Sequence, residues 1–282
     1  MAVEPKYTLY QFPMSYYSQK VLLTFFEKKI DFKPVFVNLM ANEQLQEWFY
    51  RLHPNGLVPL LQFDDKLLPE SDDIIDHLDK QTTETCLVPS VDTDVGKDVA
   101  RWRSLLTTEV PIELITFGLF YNPEMSVTGI NAPIKLTKDD MRERSAEAAK
   151  ALMALAEKMP DVKDNIERKL KGMEKRKDLI TDTEKVAAKI DELQAVFDKV
   201  EQKLKESGGG AWLCGNDYSA ADITLTVLMN RLVLLGILPL FLKETRPLVA
   251  AYWGRAEARG CMKQLKEFGF KSAQEQAAKQ PK

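Results

Sequence analysis

A proline inside an apolar run constrains this chain more than any other local feature. In Leu57-Val58-Pro59-Leu60-Leu61 the flanking residues favour a strand, but Pro59 has no N–H for a ladder and fixes its own φ. The run is explained by a cis Val58–Pro59 bond at the mouth of an edge strand, an isomer found in only about 5% of X-Pro bonds in folded proteins. Further along, Glu70-Ser71 precedes Asp72-Asp73-Ile74-Ile75, which predicts a serine at a helix N-cap with acids in the first turn.

Periodicity supplies the surroundings of that proline. Tyr7 to Gln11 reads as a strand, and Ser18 to Lys29 as a helix with Val21, Leu22, Phe25 and Phe26 on one face. Asp31 to Val37 alternates again, and Glu43 to Leu52 is a polar helix burying Leu45, Trp48, Phe49 and Leu52. Leu57 to Phe63, the turn Asp64-Asp65 and Lys66 to Leu68 form a hairpin, followed by a helix after Ser71. The order β-α-β-α-β-β-α is that of a thioredoxin-like layer. From Gln81 to Thr93 the composition turns to threonine, proline and serine without period, which predicts a linker. Beyond it Asp98–Tyr121, Lys138–Met159, Asp164–Leu204, Ala220–Leu235 and Arg246–Ala258 all read helical. The expected fold class is α+β: a thioredoxin-like domain over residues 1–80, a linker over 81–93 and an all-α domain over 94–282.

Composition narrows the function classes. Two domains suit 282 residues with 45% apolar content. The 39 lysines and arginines against 42 acids leave a net charge of -3, which gives no field to collect a phosphate backbone, so no nucleic-acid partner is expected. Cys86, Cys214 and Cys261 are scattered and odd in number, which fits a reducing compartment better than a disulfide framework. With only His53 and His77 and no cysteine cluster, no metal is expected. Met1 to Lys6 lacks the apolar core of a signal peptide. Ile223 to Leu242 is apolar but interrupted by Asn230, Arg231, Gly236 and Pro239, and is expected to be a core helix.

Two apolar stripes lie in the charged helical region. Val186, Ile190, Leu193, Phe197, Val200 and Leu204 alternate spacings of four and three, an a/d seam that needs a partner. Ala149, Leu152, Ala156 and Met159 make a second stripe, and an antiparallel hairpin closed near Pro160 would join the two. The seam has two destinations, its own domain or a second chain.

The order Leu9-Tyr10, Ser15, Ser18, Lys20-Val21, Gly56, Val58-Pro59 and Glu70-Ser71 resembles the glutathione transferases. So does Trp212-Leu213-Cys214-Gly215-Asn216-Asp217-Tyr218-Ser219-Ala220-Ala221-Asp222-Ile223, in which Ser219 is read as a structural cap, Asp222 at N3 as its return bond, and Tyr218 with Ile223 as a hydrophobic staple. Within that superfamily, Ser18-Gln19-Lys20-Val21, Glu47-Trp48-Phe49-Tyr50-Arg51-Leu52, Ile74-Ile75-Asp76, Asn122-Pro123-Glu124 and Trp212-Leu213-Cys214-Gly215 are similar to segments of the ganglioside-induced differentiation-associated protein 1 family. A charged helical insertion over about 131–208 belongs to the same likeness. The resemblance implies an all-α glutathione-transferase second domain and a setting at the cytosolic face of the mitochondrial outer membrane. That family reaches the membrane through a C-terminal anchor. This chain ends polar, Ala273 to Lys282, and as it stands is expected to be soluble and cytoplasmic.

The resemblance also places a site. Transferases ionise the thiol of glutathione, which means lowering a pKa of about 8.5 by one to two units, or roughly 1.4 to 2.7 kcal/mol. Ser15 matches the catalytic serine of the serine-type classes; its bland reading is a helix cap shared with Ser18. Ser15-Tyr16-Tyr17-Ser18 stands where glutaredoxins carry C-x-x-C, and without a thiol it excludes disulfide exchange. Val58, Pro59, Glu70 and Ser71 would bind the cysteinyl and γ-glutamyl parts of the tripeptide. Leu57 stands where transferases commonly place lysine or glutamine for the glycine carboxylate, a loss worth roughly ten- to a hundredfold in affinity. Two functions follow. The first is an interaction or regulatory module in mitochondrial outer-membrane dynamics, with weak or absent glutathione binding and a protein partner at the insertion. The second is an active serine-type transferase conjugating glutathione to electrophiles. Neither requires a cofactor, glutathione being substrate or weak ligand, and a homodimer is compatible with both.

Overall fold

The computed structural model describes residues 5–132, 136–208 and 212–279, with side chains to residue 272. The outermost residues of both ends, including the last of the polar stretch running to Lys282, lie outside the described residues.

The first domain is built on a four-stranded sheet in the order β2-β1-β3-β4, from β1 (Tyr7–Gln11), β2 (Phe32–Phe36), β3 (Leu60–Phe63) and β4 (Lys66–Leu68). Only β1 and β2 are parallel, because α1 (Tyr16–Lys28) crosses between them. With α2 (Glu47–Leu52) and α3 (Ser71–Asp79) the order is the thioredoxin-like one expected. The alternation of β1 explains its two faces: Tyr7 and Leu9 are buried with Val21, Leu22 and Phe25 of α1 and Ile74, Ile75 and Leu78 of α3. On the opposite face Leu60, Val58 and Val37 pack with Phe49 of α2. Pro34 is tolerated within β2 because that strand lies at the sheet edge.

Two expectations about this domain need correction. Val58–Pro59 is cis, but β3 is not an edge strand: it pairs with β1 on one side and β4 on the other. The proline is harmless because the ladder begins at Leu60. The helix expected over Glu43–Leu52 is broken into a 3-10 turn, Glu43–Leu45, and the short α2. The break is at Gln46, whose extended backbone at φ -85° and ψ 153° ends the turn and begins α2. Trp48 is consequently 40% exposed and Tyr50 takes its place inside.

The linker is clamped rather than loose. Lys28 Nζ donates to the Asp79 carboxylate at 2.8 Å and to the Thr82 carbonyl at 2.9 Å. The same carboxylate accepts from the backbone N–H groups of Leu87 at 2.8 Å and Val88 at 3.0 Å.

The second domain consists of α4 (Asp94–Thr108), α5 (Ile112–Tyr121), α6 (Lys138–Lys158), α7 (Lys163–Thr181), α8 (Thr183–Glu206), α9 (Ala220–Leu234), α10 (Pro247–Glu257) and α11 (Gly260–Lys279). Two runs read as single helices are each divided. Pro111 ends Asp98–Tyr121 as one helix, lacking the N–H a continuous helix needs, and Asp182 splits Asp164–Leu204 by accepting from the N–H groups of Glu184 and Lys185 as the cap of α8. The long apolar stretch from Ile223 is the buried α9, and no helix among the described residues is long and apolar enough to cross a membrane.

The seam of α8 is spent within its own domain. All six seam residues are buried in the main core, where Phe197 meets Phe241 with ring centroids 4.7 Å apart. Gly118 of α5 lies so close that a Cβ there would stand 2.6 Å from a Val186 methyl, so the crossing of α5 and α8 admits only hydrogen. The expected hairpin between the seam and the second stripe does not form. Instead α6 turns at Pro160–Val162 into α7, and Leu152, Leu155 and Met159 pack with Val162 and Ile166 and against Leu45 and Tyr50 of the first domain. Helices α6 and α7 therefore lie on the chain's own thioredoxin-like layer. The final helix, α11, was not foreseen; its Phe268 packs against Phe26 and Phe32, and Arg259 just before it pairs with Glu27.

Candidate functional site

Strand pairing assembles the site. Tyr10 of β1 is opposite Leu60 of β3, so the loop leaving β1 toward Ser15 starts level with Pro59. Lys20 of α1 donates to Asp72 of α3 at 2.6 Å, which draws the N-terminus of α3 to the first turns of α1. The loop to Ser15, Val58-Pro59 and Glu70-Ser71 thus lie at the same end of the sheet.

Ser15 is the N-cap of α1, and its Oγ accepts from the Ser18 N–H at 3.3 Å. Ser18 does not share the capping; it is buried inside the helix and its Oγ accepts from the Phe12 N–H at 3.4 Å. The cap and catalytic readings of Ser15 are not exclusive. Capping uses an oxygen lone pair and leaves the hydroxyl proton free to donate.

Ser71 was expected at an N-cap, but Glu70 occupies that place and Ser71 is the first residue of α3. Glu70 stands at φ 68° and makes no side-chain cap, so the first-turn N–H groups of α3 are left to a ligand or to water. Asp72 is held there by Lys20 and by Arg103, which also pairs with Asp76 at 2.6 Å. Burial works to raise the Asp72 pKa, and the two cations outweigh it and hold the carboxyl below its ordinary value. Tyr17, on the same side, is pushed up to about 12 by burial and then by Glu113, Asp72 and Glu70, so it stays neutral.

Leu57 is 47% exposed and offers neither charge nor amide. Gly56 beside it is at φ 54°, and a Cβ there would meet the Tyr50 ring at 2.4 Å. Over this loop lies a residue that sequence reasoning missed. Lys169 of α7 donates to the carbonyls of Asn55 and Gly56, both at 2.9 Å, and Asn165 one turn earlier donates to the Pro54 carbonyl at 3.3 Å. Lys169 is pushed down to about 8 by burial and then by Arg176, which itself holds Glu113 of α5 at 2.6 Å. No local signal marks Lys169, one lysine on a charged helix far along the chain from the loop it touches.

Ser219 and Asp222 lie elsewhere, at the start of α9 in the core of the second domain. Asp222 accepts from the N–H of Ser219 at 2.9 Å, the Ser219 hydroxyl at 2.7 Å and the N–H of Leu213 at 2.8 Å. They hold the fold.

Comparison with known proteins accounts for both domains. Residues 9–85 match the model described as glutathione S-transferase, N-terminal domain, and residues 138–259 match glutathione S-transferase, C-terminal domain, together well over half of the chain. The chain belongs to the glutathione S-transferase family. The narrower resemblance is also borne out. Ganglioside-induced differentiation-associated protein 1-like 1 of Homo sapiens is 27% identical over 266 residues, covering 89% of this chain and 71% of that protein. Glutathione S-transferase TCHQD of Arabidopsis thaliana is 24% identical over 91% of this chain and 88% of its own length. Among solved structures, glutathione transferase F7 from Populus trichocarpa shares the fold with a TM-score of 0.66 at 22% identity, over 93% of this chain and 99% of that one.

Proposed function

We propose that this member of the family binds glutathione in the cleft between Ser15, Pro59 and the start of α3, and conjugates its sulfur to electrophiles. The observation that carries the reading is Ser15, set as the N-cap of α1 with its hydroxyl proton uncommitted by the capping bond. A thiolate facing it would gain about 1.5 to 3 kcal/mol from a charge-assisted hydrogen bond and roughly 0.3 to 1 kcal/mol from the helix terminus. That range covers the roughly 1.4 to 2.7 kcal/mol needed to ionise the thiol near neutral pH. The thiol proton passes to solvent, the sulfur lone pair forms the new C–S bond, and the leaving group departs with its own electron pair.

A second reading is favoured by Leu57. With an exposed leucine where a polar partner is expected, glutathione would bind weakly or not at all. The protein would then be an interaction or regulatory module, in mitochondrial outer-membrane dynamics by family resemblance, as a homodimer or with a protein partner on the insertion. The seam of α8 is already buried, so such a partner would have to use the polar outer faces of α6 and α7. Calorimetric titration with glutathione, alongside conjugation of a model electrophile by wild type and Ser15→Ala, separates the two. Conjugation abolished by Ser15→Ala supports the enzyme; binding weaker than millimolar without conjugation supports the module.

A further inference from the structure

The ammonium of Lys169 is an unbalanced charge. It has three N–H donors, and two are used on the neutral carbonyls of Asn55 and Gly56. Among the described residues it forms no ion pair, and Glu113, the one acid acting on it, is engaged by Arg176 at 2.6 Å. The side chain is partly buried, and a partly desolvated cation without a counter-ion gains from an anion brought to it. The two carbonyls fix where the ammonium itself sits. They belong to the residues just before Leu57, while the opposite end of the cleft is formed by the open N-terminus of α3.

The second domain is what delivers the charge. Helix α7 is pinned to this loop by Asn165 as well as Lys169, and the turn before it is packed on Leu45 and Tyr50. The Lys169 ammonium also lies 5.9 Å from the Tyr50 ring, which limits where the side chain swings. Its position is therefore set by the fold rather than by a flexible surface stem.

We propose that Lys169 is the partner of the ligand's C-terminal carboxylate, so that helix α7 supplies, across the domain boundary, the cation that Leu57 does not. This rests on the reading of the cleft as a glutathione site and adds a specificity to it. The site selects a thiol peptide whose carboxylate at that end is free, and discriminates against the same peptide esterified or amidated there.

The test is calorimetric titration of the full chain with glutathione and with its glycine ethyl ester, on wild type, Lys169→Met and Lys169→Arg. Wild type is expected to bind the ester about ten- to a hundredfold more weakly than glutathione. Lys169→Met should lose a similar factor for glutathione and no longer tell the two ligands apart, and Lys169→Arg should keep part of the discrimination. Equal affinity of wild type for both ligands overturns the proposal while leaving the glutathione site standing. So does a Lys169→Met protein that still discriminates, even if its melting temperature falls, because Lys169 would then be only a structural clasp. Failure of wild type to bind either ligand overturns the proposal together with the reading of the cleft. The wild-type ester comparison needs no variant to fold.

Discussion

The hydroxyl of Tyr252 stands 3.0 Å from the carboxylate of Asp222, reaching from α10 to the first turn of α9. With Leu213 and Ser219 it surrounds a fully buried acid with donors, joining three segments of the second domain. Asp222→Ala strips the partners from all of them at once. It is expected to destabilise the protein by about 3 kcal/mol or more, read as a lowered midpoint in urea unfolding with the m-value unchanged.

Ser219→Ala removes only the hydroxyl that donates to Asp222 at 2.7 Å and leaves the backbone N–H bond in place. The expected cost is about 1 kcal/mol by the same measurement. Unchanged stability would mean that the serine contributes nothing to the start of α9.

Asp72→Asn leaves Lys20, 1% exposed, without its counter-ion. Breaking a fully buried pair costs roughly 3 to 5 kcal/mol, and since Asp72 keeps contact with water about 2 kcal/mol is expected here. The pH dependence has a definite sign. Lys20 and Arg103 hold the Asp72 carboxyl below its ordinary value, so its contribution is present above the unfolded carboxylate range near 3.8 and is lost as pH falls through the lower folded value. Acid titration of the melting temperature should show a shallower fall in Asp72→Asn than in wild type.

The preference for glutathione over its glycine ester should shrink as pH rises from about 7 to about 9, because Lys169 loses its proton near 8. The groups facing it do not share that window. Arg176 and Glu113 act on it as charges, Tyr50 is pushed up to about 12 by burial, and His53 is lowered by burial and then by Lys169. Taking the ratio of the two affinities cancels the thiol's own titration. A pH-independent ratio would count against Lys169 as the titrating group.

Leu57→Lys is expected to strengthen glutathione binding measurably, and by a larger factor in the Lys169→Met background than in wild type. In wild type the new ammonium would stand beside Lys169 and compete for one carboxylate. Equal gains in both backgrounds would place the two lysines at different parts of the ligand.

The first domain was legible because its signals are local. Alternation in Tyr7–Gln11, the helical face of Val21, Leu22 and Phe25, and the proline at 59 each act within a few residues. What escaped was decided over long distances or by a single side chain. Asp182 ended a helix that periodicity carried straight through, and the seam of α8 could not reveal whether its partner was another chain or α5 and α10. The places of Ser15 as a helix cap and of the cis Pro59 were legible, and the contact of α7 with the loop before Leu57 was not. Lys169 meets Gly56 from the other domain, and nothing near Lys169 in the sequence records that meeting.

The crossing of α5 and α8 at Gly118 governs how α5 is set against its neighbours. Glu113 lies five residues before Gly118 on the same helix, about 7.5 Å along a rigid axis, and it is the acid that engages Arg176 next to Lys169. One methyl group at position 118 would wedge α5 away from Val186 and tilt that acid relative to α7. If Lys169 meets a ligand as proposed, its affinity would then respond to a substitution that touches neither, with helix α5 as the lever.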